Sequence, residues 1–166
     1  MQSREEIEKS YEKPDPWGYQ TNPDDIRRKD FIAKITMMFT PGSGRFTRAL
    51  DICAGEGWIS KYLPAIDIDG YELSDRAAAR FPVCVRRVLE PEDKYGLVTL
   101  MGALYSHYDW PLFVRLINEH ASDIILLCNI EAWEVVSAVS QIEGKQVFEA
   151  TFPYHEFHQK LRVFER

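Results

Sequence analysis

Two acids and two glycines within seven residues make the segment D-I-C-A-G-E-G, residues 51–57, the part of this chain best suited to hold a ligand. Gly55 and Gly57 let a backbone approach a bound molecule closely, and a helix beginning after them would aim its N-terminus at it. Asp51 closes an apolar run and Glu56 sits inside the turn. Such a pair of carboxylates repels a pyrophosphate and favours a cation. Glu72, fifteen residues beyond Gly57, closes a second strand-like run. There a carboxylate can accept both hydroxyls of a ribose. Dinucleotide sites use the same device, so Glu72 alone does not separate one nucleotide from another, and its plainer reading is a surface acid at a strand end. The dinucleotide fingerprint G-x-G-x-x-G is incomplete here, because Ser60 stands where the third glycine belongs. Asp51 also breaks the wholly apolar first strand that such a site uses.

A second cluster lies at residues 105–110, Y-S-H-Y-D-W. His107 is a candidate general base with Asp109 as its orienting partner, and Tyr105 and Tyr108 are candidate pocket walls. An aromatic wall also suits a cationic ligand. The competing reading makes Asp109 the N-cap of a following helix. His155 and His158 have no third ligand nearby, so no metal site is expected.

These residues need a frame to position them. Asn22 is a plausible N-cap, Pro23 suits the first helical position, and a helix is expected up to about Phe39. Strand-like runs follow at 49–52, 69–73, 83–85, 97–101 and 123–129. Helical segments are expected between them at 58–63, 75–80, 110–119 and 131–139. The last twenty residues read as an antiparallel hairpin, 146–153 and 159–166. Alternating strand and helix closed by a hairpin predicts an α/β, Rossmann-like three-layer sandwich with a mostly parallel sheet. Ligands then sit at the C-terminal strand ends, where the 51–57 loop falls. Pro14, Pro16 and Gly18 are expected to break regular structure in the first 22 residues.

At 166 residues the chain suits one domain, 1–166, with residues 1–22 as an N-terminal arm or lid. Its net charge of -6 argues against gripping nucleic acid. The pairs Arg27–Arg28 and Arg86–Arg87 read as solvated faces. Cys84 follows valine rather than proline, and no N/D-P-P-Y run follows the fourth strand, so two nucleobase-methylating signatures are missing. Three cysteines without paired spacing and a charged N-terminus without an apolar core predict a cytoplasmic protein with reduced thiols. No run is long enough for a membrane span, and nothing fixes the oligomeric state.

The loop with its downstream acid, D-P-W-G-Y at 15–19, G-Y-E-L-S-D at 70–75 and Y-G-L-V-T-L-M-G-A-L-Y at 95–105 together resemble the class I S-adenosylmethionine-dependent methyltransferases. The resemblance covers nearly the whole chain and is greatest to the small-molecule branch that contains the nodulation N-methyltransferases. It implies that Asp51, Cys53, Gly55 and Gly57 surround the methionine portion of S-adenosylmethionine, with Trp58 beside them. Glu72 and Leu73 would meet the ribose, Met101 and Gly102 the amino group or sulfonium, and Val88 the adenine. Trp17 and Tyr19 would be lid residues. The acceptor implied is a small molecule methylated at an amino or hydroxyl group. Two departures stand out. Cys53 replaces the family's first glycine, and the aspartate that contacts adenine is absent, its place falling near Arg87. A non-catalytic S-adenosylmethionine-binding protein and, less strongly, a NAD-dependent oxidoreductase are the alternatives.

Overall fold

The computed structural model describes residues 2–166. Its centre is a seven-stranded sheet built from β1 (Phe46–Ile52), β2 (Ala65–Tyr71), β3 (Val85–Val88), β4 (Tyr95–Met101), β5 (Ala121–Ile130), β6 (Lys145–Tyr154) and β7 (Phe157–Glu165). The order is β3-β2-β1-β4-β5-β7-β6. The first five strands run parallel, and β7 joins β5 antiparallel with β6 outside it. This is the expected sandwich with its C-terminal hairpin. The chain runs outward from β1 through β2 to β3, then returns to the other side of β1 as β4. Between β1 and β4 lies the switch point where such sheets bind ligands.

Side chains alternate across the central strands. Ala49, Leu97, Ile124 and Leu126 join Ile32 and Ile35 of α2 (Pro23–Met38) on one face. Leu50, Ile52, Val98, Leu100, Ile125 and Leu127 pack on the other, under α4 (Trp110–His120) and α5 (Trp133–Val139). Period-two alternation in strands that are buried on both faces makes both sets apolar. Asp51 and Thr99 are two of the polar exceptions, paired in register on the α2 face at the strand ends.

Asn22 caps α2, accepting a hydrogen bond from the backbone N–H of Asp24, as its sequence position predicts. Three expectations are corrected. Residues 58–63 form only a single 3₁₀ turn, Ser60–Tyr62, because Pro64 leads straight into β2. The third strand begins at Val85 rather than at residue 83, since Arg86 must lie level with Asp69 to form its ion pair. The first 22 residues hold a helix, α1 (Arg4–Ser10), closed by a capping box between Ser3 and Glu6. The S-x-x-E signal for it is present in the sequence.

The basic pairs are solvated faces only in part: Arg27 and Arg86 keep exposed side chains, at 74% and 68%, while Arg28 and Arg87 are largely covered. Arg86 donates two bonds to buried Asp69, which also accepts from Arg48 and Tyr95. Burial alone would raise the Asp69 pKa, but these donors hold it below the usual carboxylate range. Arg87 donates to the carbonyls of Glu72 and Leu73 and to Asp75. Arg28 is only 4% exposed. Among the described residues no helix is long and apolar enough to cross a membrane, and no group of His, Cys, Asp and Glu could hold a metal ion.

Candidate functional site

A cavity of about 390 Å³ opens at the β1/β4 switch point. Its wall includes Trp17, Tyr19, Asp51, Cys53, Gly55, Trp58, Glu72, Leu73, Met101, Gly102, Tyr105, His107 and Tyr108. The fold therefore gathers, from the ends of β1, β2 and β4 and from the N-terminal arm, most of the residues singled out by sequence. Gly57 and Val88 are outside it. A Cβ on Gly57 would stand 2.8 Å from Pro82 Cδ, so that glycine serves the packing of the loop on residues 81–82. Val88 packs against the core beneath α4.

Asp51 is fully enclosed. Ser60 donates to one oxygen at 2.6 Å and Thr99 to the other at 2.7 Å. Burial nonetheless dominates and pushes its pKa up to about 6. Glu72 is held at the same strand-end level: the N–H of Gly55 donates to one oxygen at 2.9 Å and that of Ser74 to the other at 2.8 Å. Burial raises its pKa too, against those bonds. Each carboxylate oxygen has a second lone-pair site, so both acids retain acceptor capacity toward the cavity. Glu56 differs from its sequence reading. It accepts from Arg80 at 2.7 Å and from the N–H of Asp15 at 3.0 and 3.1 Å. Its charge is thereby used to fasten the arm.

That arm crosses the glycine loop on several such ties. Arg80 also donates to the carbonyls of Tyr11 and Lys13. Glu8 accepts from the Ser74 hydroxyl and from the N–H groups of Asp75 and Arg76, at the start of α3 (Asp75–Ala78). The N–H of Gln2 reaches the carbonyl of His107 at 2.7 Å. These bonds place Tyr11, Trp17 and Tyr19 over the cavity, Trp17 edge-on to Tyr11 and stacked on Tyr19.

Arg28 is the functional candidate that sequence reasoning missed. It projects from α2 to the cavity wall, with a guanidinium nitrogen 3.9 Å from where a Gly102 Cβ would lie. Its charge lies 5.1 Å from the Tyr19 ring centroid and 5.0 Å from that of Tyr154. Asp25, one turn earlier, pairs with it at 3.2 Å and accepts the Tyr154 hydroxyl at 2.8 Å. Arg28 Nε has no partner among the described residues. The signal available was the i,i+3 Asp–Arg pair on a helix that must pack on the sheet.

His107 lies between Tyr105 and Tyr108, with ring centroids 5.8 and 4.2 Å away. Asp109 does not orient it: that carboxylate caps α4 by accepting from the N–H of Leu112. Tyr105 accepts from the N–H of Ile130.

Cys53 has φ +59° where the backbone favours glycine. An L residue in the left-handed region costs roughly 1–2 kcal/mol. Glycine escapes that cost but loses about 0.5–1 kcal/mol to chain entropy. Cys53→Gly is therefore expected to be at least as stable as Cys53→Ala, reversing the usual order. Denaturant unfolding of the two variants checks this, and a clearly more stable alanine variant contradicts it.

No family model matches the chain, and no curated protein matches it. Solved structures do. NodS N-methyltransferase from Bradyrhizobium japonicum, in complex with S-adenosyl-L-homocysteine, superposes with a TM-score of 0.80 at 13% identity over 98% of this chain and 97% of its own. The fold is that of the class I S-adenosylmethionine-dependent methyltransferases. Magnesium protoporphyrin IX methyltransferase from Synechocystis, with S-adenosylmethionine bound, gives 0.69 at 8% identity over 100% and 98% of the two chains. The 1,6-didemethyltoxoflavin-N1-methyltransferase from Burkholderia thailandensis gives 0.69 at 15% identity over 98% and 86%. The resemblance stated from the sequence is thus matched by the architecture of the whole chain.

Proposed function

We propose that this chain is a single-domain enzyme that binds S-adenosylmethionine and transfers its methyl group to an amino or hydroxyl group of a small molecule. One observation carries the reading: a buried guanidinium and two buried carboxylates, Arg28, Asp51 and Glu72, share one cavity at the switch point. A ligand with an amino-acid zwitterion at one end and a ribose diol beyond it meets all three. Arg28 takes the carboxylate, Asp51 the ammonium beside Met101 and Gly102, and Glu72 the ribose hydroxyls with Leu73 alongside. Cys53, Gly55 and Trp58 form the remaining contacts, with Trp17 and Tyr19 closing over them from the arm. Two solved relatives by fold carry this cofactor or its demethylated product, which supports the reading.

When bound, the cofactor supplies an electrophilic methyl on a sulfonium. The residues of this chain then have modest tasks: to align the acceptor, exclude water and accept a proton. His107 is the proposed acceptor of that proton, with Tyr105 and Tyr108 fixing the acceptor's plane. The alternative of a binding protein without turnover is favoured by Cys53 and by Arg87 lying where an adenine-reading aspartate is expected. A radiolabelled methyl-transfer assay with a panel of amines and phenols separates them. Transfer to any member supports the enzyme, whereas tight cofactor binding without transfer across the panel favours the binder.

The state of Asp51 gives a pH prediction. Protonated, it cannot pair with an ammonium. Because burial pushes its pKa up to about 6, part of the chain must lose a proton on binding near that pH. Affinity for S-adenosylhomocysteine is expected to rise as pH increases from 5 to 7, by roughly tenfold, since one pKa unit corresponds to about 1.4 kcal/mol. Calorimetry in buffers of different ionisation heat should detect the released proton, and Asp51→Asn should abolish both effects. Equal affinity at the two pH values contradicts the pairing.

A further inference from the structure

The cavity also restricts the acceptor, on the reading just given. Once the cofactor engages Arg28, Asp51 and Glu72, the charged groups that remain near the 102–108 wall are already committed. Glu56 is held by Arg80 and the arm, Asp15 accepts from the N–H groups of Tyr19 and Gln20, and Asp109 caps α4. What is left there is aromatic: Trp17, Tyr19, Tyr105, His107 and Tyr108. The free polar capacity consists of phenolic hydroxyls, one imidazole and the amide of Gln2, whose backbone N–H is bonded to the carbonyl of His107. Burial raises the pKa of Tyr19 and Tyr105, and pushes that of Tyr108 up to about 12, so these phenols stay neutral.

We infer that the acceptor is a neutral, flat aromatic molecule presenting a hydroxyl or ring N–H, gripped between the Tyr105–His107–Tyr108 wall and Trp17 and Tyr19 of the arm. An aliphatic ammonium fits worse. Its dehydration without a carboxylate partner costs more than ring faces return. It also has no lone pair until it loses a proton. A carboxylate finds no cation, because Arg28 serves Asp25 and the cofactor. In the step implied, the acceptor's lone pair forms the new bond to the methyl carbon. The carbon–sulfur bond breaks with its electrons going to sulfur. The acceptor's proton passes to His107 and then to water.

The test uses the full chain and one ring system in three charge states: 1-naphthol, 1-naphthylmethylammonium and 1-naphthoate. S-adenosylhomocysteine is first titrated alone by calorimetry, and each probe is then titrated into the saturated complex. The expected result is that 1-naphthol binds at least tenfold more tightly than either charged probe. A charged probe binding as tightly, or no probe binding, overturns the inference while leaving the cofactor reading intact. Failure of S-adenosylhomocysteine to bind in the first titration overturns both.

Discussion

Arg28→Met is expected to weaken S-adenosylhomocysteine binding roughly 100-fold, about 2.7 kcal/mol, while leaving 5′-methylthioadenosine nearly unaffected. The second ligand keeps the adenine, ribose and sulfur but lacks the amino-acid end, so it isolates what the guanidinium is proposed to hold. A charge-assisted hydrogen bond contributes about 1.5–3 kcal/mol, and a planar guanidinium can present two to one carboxylate. Arg28 is preorganised for this by Asp25 on its own helix and by the rings of Tyr19 and Tyr154. Removing it alone leaves Asp25, 1% exposed, with only the Tyr154 hydroxyl and the His155 ring 3.6 Å away beside it. That can cost about 3–5 kcal/mol of stability. The double variant Asp25→Asn with Arg28→Met removes both charges together, and it should keep the fold while showing the same selective loss. Equal weakening of both ligands would mean that Arg28 only supports the fold.

Glu72→Ala should show the complementary pattern, weakening both S-adenosylhomocysteine and 5′-methylthioadenosine by about 2–4 kcal/mol, because both carry the ribose. Two losses combine. The diol loses its acceptor, and the N–H groups of Gly55 and Ser74 lose the carboxylate that sets the loop against the end of β2. Glu72→Gln keeps one acceptor oxygen and should fall between alanine and the parent. Paired titrations of the two ligands decide the matter, and an unchanged dissociation constant for either one would contradict the ribose assignment. Together the two variants are expected to distinguish an amino-acid end of the cavity from a ribose end.

The sheet was legible because its strands carry continuous apolar runs, and the 51–57 loop because glycines and acids interrupt one of them. The long helix was legible from Asn22 and Pro23 at its start. The N-terminal helix was obscured by Pro14, Pro16 and Gly18, which follow it and drew attention from the Ser3–Glu6 box. Arg28 was hidden for a different reason. An arginine beside another arginine and near two aspartates reads as solvated, and only the packing of α2 on the sheet turns that side chain inward. The role of Glu56 was equally invisible, since its partners Asp15 and Arg80 are distant in sequence. Gly57 and Cys53 show what motif reading misses at single positions. One glycine serves Pro82, and a cysteine at φ +59° keeps the backbone shape that a glycine would adopt more easily.

The most direct test of the central claim is calorimetric titration of the full chain with S-adenosylhomocysteine and, separately, with NAD. The reading developed from Arg28, Asp51 and Glu72 predicts one S-adenosylhomocysteine bound per chain and no binding of NAD. Binding of NAD in its place, or of neither ligand, would contradict it.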